Sequence, residues 1–177
     1  MARQKLEKHI DTIQSIPPHS VEVAIHHAIN EIRLWQGLGD LMWDEDAAAV
    51  ARLHSDNMAA DCFFAHEDPH DGSSVGDRLA RAGVPWAVCR ENLFLGRNVS
   101  DPVAAPVDGW MQSPGHRANI LTPAFDAGGI GLAADSYGGL YVTQCFLHRP
   151  LTMCDAPSAL SRLWSTLFAP CVHPQGR

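Results

Sequence analysis

Apolar positions recur at three- and four-residue steps from Ser20 to about Trp35, through Val21, Ala24, Ile25, Ala28, Ile29 and Ile32. That spacing predicts an amphipathic helix, which Gly37 and Gly39 close. Asp44 caps a second predicted helix to about Ala60, with a stripe of Ala47, Val50, Ala51, His54 and Met58. His54 therefore falls on the packed face and reads as a core histidine with satisfied polar atoms. From Cys62 to Ser74 the periodicity stops and Pro, Asp and Gly predict an irregular loop. Ser74 and Asp77 have capping-box spacing and open a short helix that Gly83 ends. Val88 to Leu95 predicts a strand, and Asp101-Pro102 caps a fourth helix through Trp110. Gly128 to Ala134 and Leu140 to His148 predict two more strands, with Ser136-Tyr137-Gly138-Gly139 as the hairpin turn between them.

The ends of the chain differ from this middle. Residues 1–19 carry mixed charge and close on Pro17-Pro18, which stops any preceding helix. Beyond Pro150, Leu160, Leu163, Trp164, Leu167 and Phe168 form a one-sided apolar helix pattern. The organisation is thus an N-terminal extension (1–19), one domain (20–150) and a C-terminal extension (151–177). The C-terminal stripe is expected to pack on the domain.

Composition narrows the function. The chain has 177 residues, 46% apolar and 19% charged, as one globular domain of ordinary size requires. A formal charge of −7 and no basic cluster argue against a nucleic-acid partner. No apolar run approaches the roughly 20 residues needed to cross a bilayer. Met1 to His9 lacks an apolar stretch of signal-peptide type. The five cysteines, Cys62, Cys89, Cys145, Cys154 and Cys171, include no Cys-x-x-Cys pair, which removes the main support for zinc-ribbon or thioredoxin chemistry.

Candidate chemistry gathers on His66 in the polar loop, Glu91 in the strand and His116 in the segment from Asp108 to Leu121. Ser113-Pro114 reads as a helix start, with the serine hydroxyl accepting an orphan amide and proline at the first helical position. His116 then lies in the first turn, where the helix dipole disfavours imidazolium. Two imidazoles and a carboxylate form a plausible divalent-metal set, with a position left for water. The same trio could act without metal, Glu91 orienting an imidazole. Ser113 beside His116 adds a serine–histidine candidate, although no Gly-x-Ser-x-Gly elbow exists.

A series of motifs resembles the CAP superfamily (SCP domain), in its prokaryotic branch. In order they are Asn30-Glu31-Ile32-Arg33, Leu41-Met42-Trp43-Asp44, Ala51 to Met58, Phe64-Ala65-His66, Asp77-Arg78-Leu79, Glu91-Asn92-Leu93, Trp110 to Leu121 and Gly129-Ile130-Gly131-Leu132. The resemblance implies an α+β fold, a three-layer α-β-α sandwich around a central, mainly antiparallel sheet with a cleft over it. It implies that His66, Glu91 and His116 line that cleft. Arg90 replaces the usual glycine before Glu91, and Ser113 stands where eukaryotic relatives carry a second glutamate, so the resemblance implies a three-ligand divalent-metal site, zinc first. Asn92 is expected to hold the strand or loop in place. The implied role is an extracellular or cell-envelope binding module for a lipid, peptide or envelope ligand, the alternative being a metal- or histidine-assisted hydrolase. Because the resemblance brings their segments together, Cys62 and Cys89 are expected to form a disulfide. Cys145 with Cys154 is a second candidate pair, and Cys171 the odd thiol.

Overall fold

The computed structural model describes residues 18–149 of the chain. The expectations for the C-terminal stripe, for Cys154 and Cys171, and for most of the N-terminal extension lie outside the described residues.

Among the described residues, five helices and four strands follow the predicted order closely. Helix α1 spans Pro18–Trp35, strand β1 Met42–Trp43, helix α2 Glu45–Asp61 and helix α3 Val75–Arg81. Strand β2 spans Val88–Arg97, helix α4 Ala104–Gln112, helix α5 Pro114–Ile120, strand β3 Ala127–Ala134 and strand β4 Gly139–His148. Pro18 begins α1, since proline at a first helical position sacrifices no hydrogen bond. The predicted caps of α2 to α4 form. Asp44 accepts from the Ala47 amide at 2.9 Å, and Ser74 and Asp77 complete a reciprocal capping box. Asp101 accepts from the amides of Val103 and Ala104, both at 2.9 Å, just ahead of α4.

The sheet order is β1-β3-β4-β2. Strand β4 runs antiparallel to both neighbours, whereas β1 enters parallel to β3 through Met42 and Trp43. The α+β class holds, and the sheet is mixed rather than mainly antiparallel. The two-residue β1 was not foreseen, because so short a strand has no periodicity to detect.

Strand β4 is buried along almost its whole length, as a central strand covered on both faces must be. Its alternate residues feed two cores. Leu140, Val142 and Phe146 meet Val21, Ile25 and Ile29 of α1 and Val107 and Trp110 of α4. Cys145 and Leu147, on the other face, meet Ala47, Val50 and Ala51 of α2 and Leu79 of α3. The helices α1, α4 and α5 make one layer and α2 and α3 the other. The close approach of α2 depends on two glycines of β3: a Cβ at Gly131 would collide with the Ala51–Arg52 backbone, and one at Gly129 with that of Ala47–Ala48.

The expected disulfide between Cys62 and Cys89 does not form. Cys62 is an exposed free thiol at the C-terminal cap of α2, and Cys89 is a buried free thiol among the apolar residues beneath α2 and α3. Cys145 is also free and completely buried, and burial holds its thiol well above the usual range. The β2–β4 register puts Cys89 opposite Leu147 and Cys145 opposite Glu91, so the two buried thiols are diagonal neighbours and not a directly opposed pair.

Candidate functional site

Strand β2 lies at one edge of the sheet, and Glu91 points from it toward the α2–α3 side, buried to 2% side-chain exposure. A buried carboxylate demands compensation. Glu91 finds it twice: His66 Nδ1 donates to Oε1 at 2.9 Å, and Arg78 Nη2 donates to Oε2 at 2.6 Å. His66 comes from the irregular loop and is 58% exposed, so the imidazole bridges a buried anion and solvent. With Nδ1 committed, Nε2 is the atom left to face a ligand. Its hydrogen bond to Glu91 raises the His66 pKa above the ordinary imidazole value, against the opposing effect of burial.

Arg78 also shapes the loop that carries His66. Its Nη1 donates to the Ser73 carbonyl at 2.7 Å and to the His66 carbonyl at 3.1 Å. One guanidinium therefore ties two points of the loop to the carboxylate of β2. Asp68 closes the loop internally, accepting from Asn57 Nδ2 at 3.1 Å and from the His70 amide at 2.9 Å. Nothing in the local pattern marked Arg78 beyond its place in Asp77-Arg78-Leu79, because its partners lie in three separate segments.

His116 lies on α5, in the other layer. Helix α5 is seated on β2 by Asn92, whose Nδ2 donates to the His116 carbonyl at 3.2 Å and whose Oδ1 accepts from Asn119 Nδ2 at 2.9 Å. Asn92 thus has the positioning role expected of it. Partial burial lowers the His116 pKa, and the neighbouring His66 lowers it further. Ser113 separates α4 from α5 in an extended conformation but makes no side-chain cap bond, which corrects the capping expectation. Pro114 already removes one orphan donor at that helix start, so less is left to cap.

His54 is completely buried and donates from Nε2 to the Ala65 carbonyl at 3.0 Å, holding the start of the His66 loop. Its Nδ1 has no partner, so it is a core histidine only half satisfied. Desolvation lowers its pKa. Arg90, exposed in place of a glycine, turns back to the Cys89 carbonyl at 2.9 Å and leaves Glu91 to Arg78.

The donor set can be tested against a metal. Glu91 is only 2% exposed and each of its oxygens accepts from a cationic or proton-donating group, so the nitrogens without a partner, His66 Nε2 and those of His116, are the more accessible donors. A catalytic zinc site ordinarily has three protein ligands. The Ser113 hydroxyl is not one of zinc's customary ligands, so the arrangement as folded falls short of a three-ligand site. A recess of about 320 Å³ lies beside Arg78, lined also by Asn57, Asp68 and Ser73, but not by His66, Glu91 or His116.

Comparison with known proteins adds to this geometry. Residues 26–146 match the cysteine-rich secretory protein (CAP) family. The uncharacterized membrane protein YlbC of Bacillus subtilis (strain 168) is 36% identical over 120 residues, covering 68% of this chain and 32% of that protein. The uncharacterized protein YkwD of the same organism is 36% identical over 102 residues, covering 58% of this chain and 38% of its own length. This chain therefore spans only about a third of the length of these relatives. An extracellular SCP-domain protein from Bacillus anthracis superposes with a TM-score of 0.67 at 31% identity, covering 75% of this chain and 41% of that one. An outer surface protein from Borrelia burgdorferi shares the fold, with a TM-score of 0.68 at 18% identity over 76% of this chain and 97% of its own.

Proposed function

Because the chain belongs to the cysteine-rich secretory protein (CAP) family, we propose that it is a binding module of the cell envelope or its exterior, with the His66–Glu91–His116 edge as its recognition site. The observation that carries this reading is the buried Glu91, bonded on both oxygens, which fixes His66 with Nε2 toward solvent. A histidine with a raised pKa presents an N–H donor, and one with a lowered pKa presents a neutral ring that can accept. A group that offers an acceptor and a donor together would suit the two. The amide of an envelope peptide is such a group. The setting is supported by the relatives of similar fold that are described as extracellular or outer-surface proteins. No helix among the described residues is long and apolar enough to cross a membrane.

The test is a nuclear magnetic resonance titration of the protein with soluble peptidoglycan peptides. Shifts should concentrate at residues 63–74, Glu91 and 113–119, and His66→Ala or His116→Ala should weaken binding by about tenfold, one good hydrogen bond to a charged group. Shifts confined to another face would overturn the reading.

The opposite displacement of the two imidazole pKa values also supports a hydrolase, since acid and base roles are assigned by such divergence. Turnover of the same peptides, lost in both histidine variants, would favour that alternative over simple binding.

A further inference from the structure

We infer that Arg78 takes the place at Glu91 that a divalent cation would need, so that this site is neutralised by the protein's own guanidinium and Glu91 is not a metal ligand. The inference does not depend on which ligand the site binds. Arg78 is only 8% exposed and lies 2.6 Å from Glu91 Oε2. It is held there by two backbone carbonyls, those of Ser73 and His66, so the guanidinium cannot swing aside without opening the loop. The opposite oxygen is taken by His66 Nδ1. Each Glu91 oxygen keeps a second lone pair, but the side chain is only 2% exposed, so a metal could reach it only by pushing these donors aside and would then sit beside a fixed positive charge. Repulsion between cations at such a distance is strong where water is excluded. Displacing Arg78 would also strand a buried guanidinium, a severe cost. His66 and His116 remain able to take a metal weakly through their free nitrogens, with Glu91 acting behind His66 as an orienting carboxylate.

The experiment is zinc titration calorimetry on the full chain, with cobalt(II) absorption to report ligand number. Five proteins are compared: wild type, Glu91→Gln, Arg78→Met, Arg78→Lys, and Arg78→Met combined with Glu91→Gln. In the wild-type background Glu91→Gln should leave the cobalt(II) spectrum, and so the ligand number, unchanged, while zinc weakens by about 10–100-fold at most through loss of the carboxylate that orients His66. Arg78→Met should free Oε2 and tighten zinc by about tenfold or more, within the range by which one ligating or supporting group alters metal affinity. That gain should vanish in the double variant and be absent from Arg78→Lys, which retains a cation. A fall in cobalt(II) ligand number on Glu91→Gln alone would show Glu91 to be a ligand and overturn the inference, and this arm decides the matter even if Arg78→Met fails to fold. A folded Arg78→Met protein with no gain would overturn it as well.

Discussion

The side-chain amide of Asn92 and the main-chain carbonyl of His116 meet at 3.2 Å across the boundary between β2 and α5. Asn92 is completely buried and also accepts from Asn119 at 2.9 Å, so one side chain on the sheet satisfies two points of the helix. The neighbouring residue Glu91 faces the opposite layer. Two consecutive residues of one strand therefore place the two histidines, through the alternation of side chains that any strand imposes.

Asn92→Ala should detach α5 from its register. Burying two unpaired groups in place of these bonds should cost about 1–3 kcal/mol in urea unfolding. The His116 ring resonances should move while those of His66 stay near their wild-type positions. If His66 moves as much as His116, the two halves of the site are not held independently.

The four shifted histidines give stability a defined pH dependence. His26, His54 and His116 have folded-state pKa values below the ordinary value, mainly through burial. Each favours the fold when neutral, so its contribution is present above about pH 6.5 and is lost as pH falls through its lowered pKa. His66 works in the other direction: its contribution is complete below about pH 6.5 and is lost as pH rises through its raised value. The unfolding free energy should fall on mild acidification. Glu91→Gln should steepen that fall by removing the hydrogen bond from His66 to a carboxylate. Side-chain titrations should give His66 the higher pKa and His116 the lower, and the reverse order would refute the assignment.

Arg33→Met should be among the most damaging changes to the fold. Arg33 is completely buried and donates to the carbonyls of Gly39, Ile120, Thr122 and Phe125, at 2.8–3.0 Å. These bonds tie the end of α5 and the turn before β3 to α1. Losing them leaves several buried acceptors unpaired, at about 1–3 kcal/mol for each one stranded. Lysine cannot reach all four positions, so Arg33→Lys should also show a large drop in melting temperature.

Gly131→Ala should separate α2 from the sheet. The added methyl would lie far inside contact distance of the Ala51–Arg52 backbone, which cannot move as a flexible side chain can. Overpacking of this kind costs about 1–3 kcal/mol or more. The Ser55 hydroxyl, 3.0 Å from the Gly131 carbonyl and 2.8 Å from Thr143 Oγ1, would be disturbed with it. A variant with wild-type stability would show that the helix can shift without loss.

Alternation and spacing in the sequence determined the helices of residues 18–120 and the three long strands to within a few residues, because caps and periodicity are local properties. Asp44, Ser74 with Asp77, and Asp101 all act as their neighbours in the chain dictate. The motif order likewise named the family, and with it the layer arrangement. Local sequence did not reveal the two-residue β1, the free state of Cys62 and Cys89, or the commitment of both Glu91 oxygens. Whether two thiols oppose each other depends on strand register and on the side each segment faces. Whether a carboxylate is available depends on what folding has buried against it. Arg78 lies thirteen residues from Glu91 in sequence and reaches it only after α3 docks on β2. The chain alone thus determined which elements form and which chemical groups they display, since those follow from short-range sterics and hydrogen bonding. The tertiary structure decided which charges meet, because that depends on contacts between segments distant in the chain.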